Sequence, residues 1–355
     1  MKVGVIGTRG FPEIQGGIET HCMELYTRLA KLYCIQVTVY RRKPYLNEKN
    51  RNSKYTNIRF IDFYVPKSKN FETFLHSFLG TIHAIFQRYD IVHFHNTGPG
   101  FFIPLLRLSG TKIVFTYHNI SYTQKKWGLF ARWFLSLSEK VSLKNADYNI
   151  FISEFLKTEM LKKYPLKNMQ VISNGVNLPE KSSGSDFIKS LNLTEKKYII
   201  AVGRFLEEKG FDCLINAYKK AGINDYSLVL VGDTDYETDY SKNLKSLAKE
   251  NKVVLTGYIK GENLRQIYSN ARLFVMPSFA EGHPIALLEA MSYNLDVIAS
   301  DIPANLQVGL DKNDYFKVGN EDELTLKIID KLSAKTEQNY FDLITLKYNW
   351  DTKRY

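Results

Sequence analysis

Met1-Lys2-Val3-Gly4-Val5-Ile6-Gly7-Thr8-Arg9-Gly10-Phe11-Pro12-Glu13-Ile14-Gln15-Gly16-Gly17-Ile18 opens the chain. Residues 3–7 are apolar and read as a strand, and a glycine-rich loop follows. Residues 18–32 then carry Cys22, Leu25, Tyr26 and Leu29 at helical spacing. Strand, glycine loop and helix in that order begin a doubly wound α/β sheet. Working outward, further strands are expected at 35–40, 58–63, 91–94, 113–117 and 148–152. Helices are expected across 71–88, 101–108 and 130–144. Strands alternating with helices predict a parallel sheet covered on both faces.

The turn cluster Ser173-Asn174-Gly175-Val176-Asn177 and the polar stretch Lys181-Ser182-Ser183-Gly184-Ser185 then break the pattern. It restarts with a strand at 198–202, a helix after Gly210, and strands at 227–231, 253–256, 273–276 and 297–299. Two doubly wound α/β domains in series are therefore expected: 1–178 and 179–340, with a short C-terminal helix over 341–355. Ligands bind such sheets beyond the carboxyl ends of the strands, so a cleft between the two domains is the expected site.

The chain has 355 residues and a formal net charge of +11, with 44% hydrophobic and 24% charged residues. This is the composition of an ordinary globular protein and excludes disordered, collagenous and coiled-coil classes. The charge is lopsided. Residues 1–180 hold 25 Lys and Arg against 12 Asp and Glu, a balance of +13, whereas residues 181–355 hold 23 against 25, a balance of −2. An anionic partner of the first half is expected. Cys22, Cys34 and Cys213 form no CxxC pair, which fits a reducing compartment. The opening residues read as a strand rather than a signal peptide, and the uncharged stretch 73–87 contains His76 and His83 and is too short to span a bilayer. A cytoplasmic protein is expected. No zinc-ligand spacing, RNP1 motif, zinc finger or recognition-helix unit occurs, so neither a metal nor a nucleic-acid partner is expected.

Three loops carry chemistry. Gly16-Gly17 at the start of the first helix lets backbone N–H groups approach an anion, although the spacing is neither GxGxxG nor a Walker loop. In Gly203-Arg204-Phe205-Leu206-Glu207-Glu208-Lys209-Gly210, two cations five residues apart lie beyond a strand; together they can neutralise a diphosphate without a metal. In Pro277 through Ala290, Glu281 sits in a turn and Glu289 on the helix that follows. Carboxylates eight residues apart can accept hydrogen bonds from two hydroxylated parts of one ligand. The N–H groups of His283, Ile285 and Ala286 are expected to be free donors, whereas Pro284 has none.

Taken together, Gly16-Gly17, Ser173-Asn174-Gly175-Val176, Val202-Gly203-Arg204 with Glu208-Lys209-Gly210, and the segment from Glu281 to Glu289 resemble glycosyltransferase family 4. The resemblance covers essentially the whole chain. It implies the GT-B fold, two Rossmann-like domains facing across a cleft, a C-terminal helix over 341–355, short here, that returns to the N-terminal domain, and a nucleotide-sugar donor handled with retention and without metal or other cofactor. The opening Gly7 through Thr20 resembles, more narrowly, bacterial capsule and exopolysaccharide rhamnosyltransferases. By matching position, the resemblance implies that Arg204 and Lys209 hold the donor diphosphate. Gly16 and Gly17 would contact its distal phosphate or the sugar, Glu281 the sugar hydroxyls, and Glu289 the ribose. Gly203, His283, Pro284 and Ile285 would line the donor, Tyr258 and Ile259 would lie near the base, and His118 near the reacting sugar. His93 and His95 interrupt the strand at 91–94 and are expected to be structural.

The resemblance further implies a polyprenyl-diphosphate-linked or other saccharide acceptor at the cytoplasmic face of the membrane. Arg41-Arg42-Lys43, Lys67 and Lys69 are expected to face anionic headgroups, and Lys125-Lys126-Trp127 with Phe130, Trp133 and Phe134 mixes cations with interfacial aromatics. Rival classes are a nucleotide-sugar epimerase of the same fold and a non-catalytic sugar- or nucleotide-binding protein. A nicotinamide oxidoreductase would need the missing GxGxxG.

Overall fold

The computed structural model describes residues 1–68, 71–120, 122, 127–334 and 338–352. The chain divides into two compact units, Met1–Ser173 and Asn174–Tyr355.

The first unit is built on seven parallel strands: β1 (Lys2–Ile6), β2 (Gln36–Arg42), β3 (Ile58–Phe63), β4 (Ile91–His95), β5 (Lys112–Tyr117), β6 (Tyr148–Phe151) and β7 (Met169–Val171). Their order is β3-β2-β1-β4-β5-β6-β7, so the winding reverses between β1 and β4. Successive side chains of a strand point to opposite faces, and both faces are apolar. Val3 and Val5 pack with Cys22, Leu25, Tyr26 and Ala30 of the Gly17–Leu32 helix, while Ile6 packs on the other face with Phe94, Ile103, Phe115 and Phe151.

The second unit has six parallel strands: β8 (Tyr198–Val202), β9 (Ser227–Val231), β10 (Val254–Leu255), β11 (Leu273–Met276), β12 (Asp296–Ser300) and β13 (Tyr315–Phe316). The order β10-β9-β8-β11-β12-β13 reverses between β8 and β11. Here too the alternation is complete. Ile200, Val229, Phe274 and Val297 enter one core, and Ile199, Leu228, Val275 and Ile298 the other. Each such Leu, Ile, Val or Phe contributes about 1.5–3 kcal/mol of burial.

The helix Phe211–Ala221 runs between two left-handed glycines, Gly210 and Gly222. Asp239–Glu250 starts from a capping box in which Thr238 and Ser241 bond each other's backbone N–H. The C-terminal segment is part of the second unit. Ile344 and Tyr348 enter its core, and the Tyr348 carbonyl accepts a 2.7 Å bond from the Val176 N–H. Val176 of the turn cluster is thus bridged to Asn349.

The expected parallel, two-faced sheets are both present. The helix expected at 101–108 is the shorter Ile103–Arg107, and a further helical turn that was not expected, Thr97–Gly100, precedes it. His93 and His95 do not interrupt a strand; they lie inside β4, two residues apart and therefore on one face. Among the described residues, no helix is long and apolar enough to cross a membrane.

Candidate functional site

In the second unit, the loops after β8 and β11 leave the sheet at the point where its winding reverses, the usual ligand position in such sheets. Gly203 stays in register beside β9, its N–H donating to the Val231 carbonyl. Arg204 follows, and its Nη1 lies 3.1 Å from Asp235 Oδ2. The short turn Glu207–Lys209 ends at Gly210, with φ +64°. A Cβ there would sit 2.4 Å from the Pro277 carbonyl oxygen. Only glycine lets the two loops approach so closely, and the Phe279 N–H then donates to the Glu208 carbonyl at 2.8 Å.

This approach joins two of the expected site residues. Lys209 Nζ lies 2.6 Å from Glu281 Oε1, which also accepts from Ser278 Oγ at 2.7 Å. The side chains are 20% and 10% exposed, so the pair is partly screened from water without being sealed from it. The cation is held by a single carboxylate, which a more highly charged diphosphate can displace.

Glu289 lies on the Ile285–Ser292 helix and accepts a 3.0 Å bond from Tyr268 Oη. Burial, and then the Glu289 charge, push the Tyr268 phenol well above its ordinary pKa, so it remains a donor. Tyr268 stacks on Tyr293 at 5.1 Å, which fixes the Glu289 carboxylate from behind. Pro284 is the centre of an inverse γ-turn (φ −84°, ψ 72°), in which the Ile285 N–H donates to the His283 carbonyl at 3.0 Å. The expectation of a free Ile285 donor is therefore corrected: proline geometry folds that N–H inward. The His283 ring lies 5.9 Å from the Tyr348 ring. Tyr258 is 43% exposed after the left-handed Gly257, with Lys260 over its ring, and Ile259 packs against the core.

In the first unit, the loop after β1 is braced from inside. Arg9 Nε lies 3.3 Å from Glu19 Oε1, the Arg9 N–H donates to the same oxygen, and Arg9 Nη2 donates to the Gln15 carbonyl at 2.7 Å. Gly16, at φ +150°, stands where a Cβ would fall 2.0 Å from Glu19 Oε2. Gly17 begins the helix. Neither Arg9 nor Glu19 was singled out in the sequence; the signal was an Arg and a Glu flanking the glycine pair.

His118, just past β5, is buried and does not stand alone. Its Nε2 lies 3.1 Å from His95 Nδ1; His95 Nε2 lies 2.6 Å from Tyr26 Oη; Tyr26 Oη lies 2.9 Å from His93 Nδ1; and His93 Nε2 lies 2.7 Å from Thr116 Oγ1. The His21 ring packs edge-on against His95 and His118, at 5.4 and 5.0 Å. Burial first, then neighbouring histidines, hold His95 and His118 well below the ordinary imidazole pKa and lower His93 to about 3. Ring nitrogens of His21, His95 and His118 lie within 4.8 Å of one another, close enough to share a metal ion. Sequence spacing hid this cluster, because its members come from three elements.

The headgroup expectation is partly corrected. Arg41 and Arg42 are 1% and 4% exposed and pair with Asp62 and Glu72, so they brace the fold. Both lie at the end of β2, whose C-terminal residues are inward-facing. Lys67 sits over the Tyr45 ring, and Lys69, Lys125 and Lys126 lie outside the described residues. Leu129, Phe130, Arg132 and Trp133 are exposed on the Leu129–Asn145 helix. Phe134 is half-buried between Phe74 and Phe101.

Two family models match. "Glycosyltransferase Family 4" matches residues 15–180, and "Glycosyl transferases group 1" matches residues 184–342. The chain is 32% identical over 207 residues to the O-antigen chain mannosyltransferase RfbU of Salmonella typhimurium, covering 57% of this chain and 54% of that protein. It is 30% identical over 239 residues to the UDP-Gal:alpha-D-GlcNAc-diphosphoundecaprenol alpha-1,3-galactosyltransferase of Escherichia coli, covering 62% and 59%. The matched stretch thus spans a little more than half of each relative. Among solved structures, the fold is similar to sucrose-phosphate synthase of Thermosynechococcus elongatus (TM-score 0.82, 23% identity, 99% of this chain and 95% of that one). It is also similar to Anabaena HepE in complex with UDP and glucose (TM-score 0.80, 17% identity, 99% and 96%).

Proposed function

The chain belongs to the GT-B glycosyltransferases of family 4 and group 1, and from that membership we propose that it moves a sugar from a nucleotide-diphosphate donor to a saccharide acceptor. The observation that carries this reading is the Lys209–Glu281 contact beside Arg204, at the winding reversal of the second sheet. When a donor enters, Lys209 exchanges Glu281 for the diphosphate. Glu281 is then released to accept bonds from sugar hydroxyls, and Arg204 likewise turns from Asp235 to phosphate. Glu289, steadied by Tyr268, takes the ribose hydroxyls. Gly203, His283, Pro284 and Ile285 line the same donor, and Tyr258 and Ile259 lie by the base. The family resemblance assigns Gly16 and Gly17 to the distal phosphate or the sugar, and His118 to the reacting sugar.

The reaction is same-face transfer with retention. The bond from the sugar's anomeric carbon to the departing phosphate oxygen breaks, and a bond from that carbon to the acceptor oxygen forms on the same side. The acceptor's hydroxyl proton passes to the departing phosphate. Negative charge grows on that phosphate as the bond breaks, so Arg204 and Lys209 bind the transition state more strongly than the donor. Two fixed cations supply this charge stabilisation in a metal-independent reaction that needs no cofactor.

The acceptor is proposed to be a growing, lipid-linked bacterial surface polysaccharide, supported by relatives named for O-antigen chains and for a diphosphoundecaprenol substrate. Rhamnose remains the sugar suggested by Gly7 through Thr20, beside relatives named for mannose and galactose. Peripheral attachment to an anionic cytoplasmic membrane face is supported by the basic first half and by exposed Leu129, Phe130 and Trp133. A panel of nucleotide sugars tests the function. One donor should raise the melting temperature by mass action and support transfer to a lipid-linked saccharide. Release of an isomerised donor without any acceptor would replace this reading with the epimerase.

A further inference from the structure

We propose that Thr116, His93, Tyr26 and His95 form a one-directional hydrogen-bonded chain that fixes the tautomer of His118, so that its Nδ1 carries the hydrogen and donates to an oxygen of the bound sugar. The four are positioning residues, and the inference rests on the reading above that places His118 beside the transferred sugar.

The chain runs across three elements. Thr116 and His118 belong to β5 and its exit, His93 and His95 to β4, and Tyr26 to the Gly17–Leu32 helix. Every member is buried, and the lowered imidazole pKa values keep all three rings neutral. A neutral imidazole has one donor and one acceptor nitrogen. The buried Tyr26 hydroxyl bonds both His93 and His95 and must donate to one of them, so the four consecutive bonds admit two arrangements, each the reverse of the other.

One observation selects between them: among the described residues Thr116 Oγ1 has His93 Nε2 as its hydrogen-bond partner. If the chain ran toward Thr116, its own buried hydroxyl hydrogen would have no acceptor. Running away from Thr116, the hydroxyl donates to His93 Nε2 and every hydrogen is used.

His118 Nε2 is therefore an acceptor occupied by His95, and its hydrogen must sit on Nδ1. The residue presents a neutral N–H donor to the ligand rather than a base. Such a donor suits a hydroxyl oxygen of the sugar and gains nothing from an ammonium or an apolar group. His21 packs edge-on against both rings.

Long-range proton–nitrogen correlation spectra of the full chain, with nitrogen-15 in its histidines, read the tautomers directly. His93, His95 and His118 should all carry hydrogen on Nδ1. Tyr26→Phe and Thr116→Val keep the shape while removing a donor; both should melt as folded proteins and shift His118 toward the Nε2–H form. A wild-type His118 in the Nε2–H form would overturn the proposal. So would tautomers unchanged in both variants, or one equivalent of zinc bound with displacement of the ring hydrogens of His95 and His118. If His118 carries hydrogen on Nδ1 yet His118→Ala transfers sugar normally, the chain stands and the placement of His118 beside the sugar fails.

Discussion

Lys209 and Glu281 lie 72 residues apart in sequence and 2.6 Å apart in space. Each was legible on its own, because each sits by a Gly or Pro turn beyond an apolar strand. Their contact was not, since it depends on β8 and β11 being neighbours, which no local pattern reports. The same holds for Asp235 beside Arg204, for Glu19 behind Gly16, and for Tyr26 and His21 around His118. A residue's chemistry is written in its type, whereas its partner is written in strand order. His76 shows how a buried residue acts on stability without touching the site. Burial, with the nearby Arg42 charge, lowers its pKa from 6.5 to about 3. A depressed histidine pKa leaves its stability contribution fully present above the unfolded value and lost as pH falls, because the unfolded chain takes up the proton first. The affected window is pH 6.5 down to about 3. At pH 5 the loss from this one group is about 2 kcal/mol. Denaturant unfolding of the wild type and of His76→Phe at pH 7 and pH 5 should show a smaller decrease in the variant; equal decreases would contradict it.

At the scale of elements, the strands with continuous Val, Ile and Phe runs were legible, and so was the glycine punctuation between them. The two-residue strand β13 and the three-residue β7 carry too little periodicity to read, whereas the equally short β10 falls inside the strand expected at 253–256. Thr97–Gly100 was hidden because Gly98, Pro99 and Gly100 are weak helix formers; they are helical here through packing, with Gly100 close against Ser142 and Phe115. The junction that most directly positions the site is Gly210, which ends one turn and caps the next helix. Gly210→Ala forces a side chain into a left-handed backbone and against the Pro277 carbonyl oxygen, a cost of about 1–3 kcal/mol. The β8 and β11 loops should then separate. The expected outcome is a lower melting temperature together with weaker donor binding. A variant that melts lower but binds the donor normally would show that the close approach serves stability alone.

For the whole molecule, part of the charge asymmetry is turned inward. Arg41 and Arg42 are spent on internal ion pairs, so the proposed membrane attachment would draw on cations that remain at the surface, such as Arg132 beside Trp133. Each surface cation adds about 1 kcal/mol next to anionic lipid and is screened by salt. Co-sedimentation with anionic vesicles should therefore occur at low salt, weaken at high salt, and fall in Trp133→Ser. Absence of binding at low salt would remove the membrane reading. The proposed diphosphate clamp, Arg204 with Lys209, lies in the near-neutral half at the winding reversal of the second sheet. Titration calorimetry of nucleoside diphosphates against the wild type, Arg204→Ala and Lys209→Ala tests it most directly. The account expects saturable binding of one nucleoside diphosphate by the wild type, weakened at least ~10-fold, a loss of about 1.4 kcal/mol or more, in each folded variant. Undiminished affinity in both variants would contradict it.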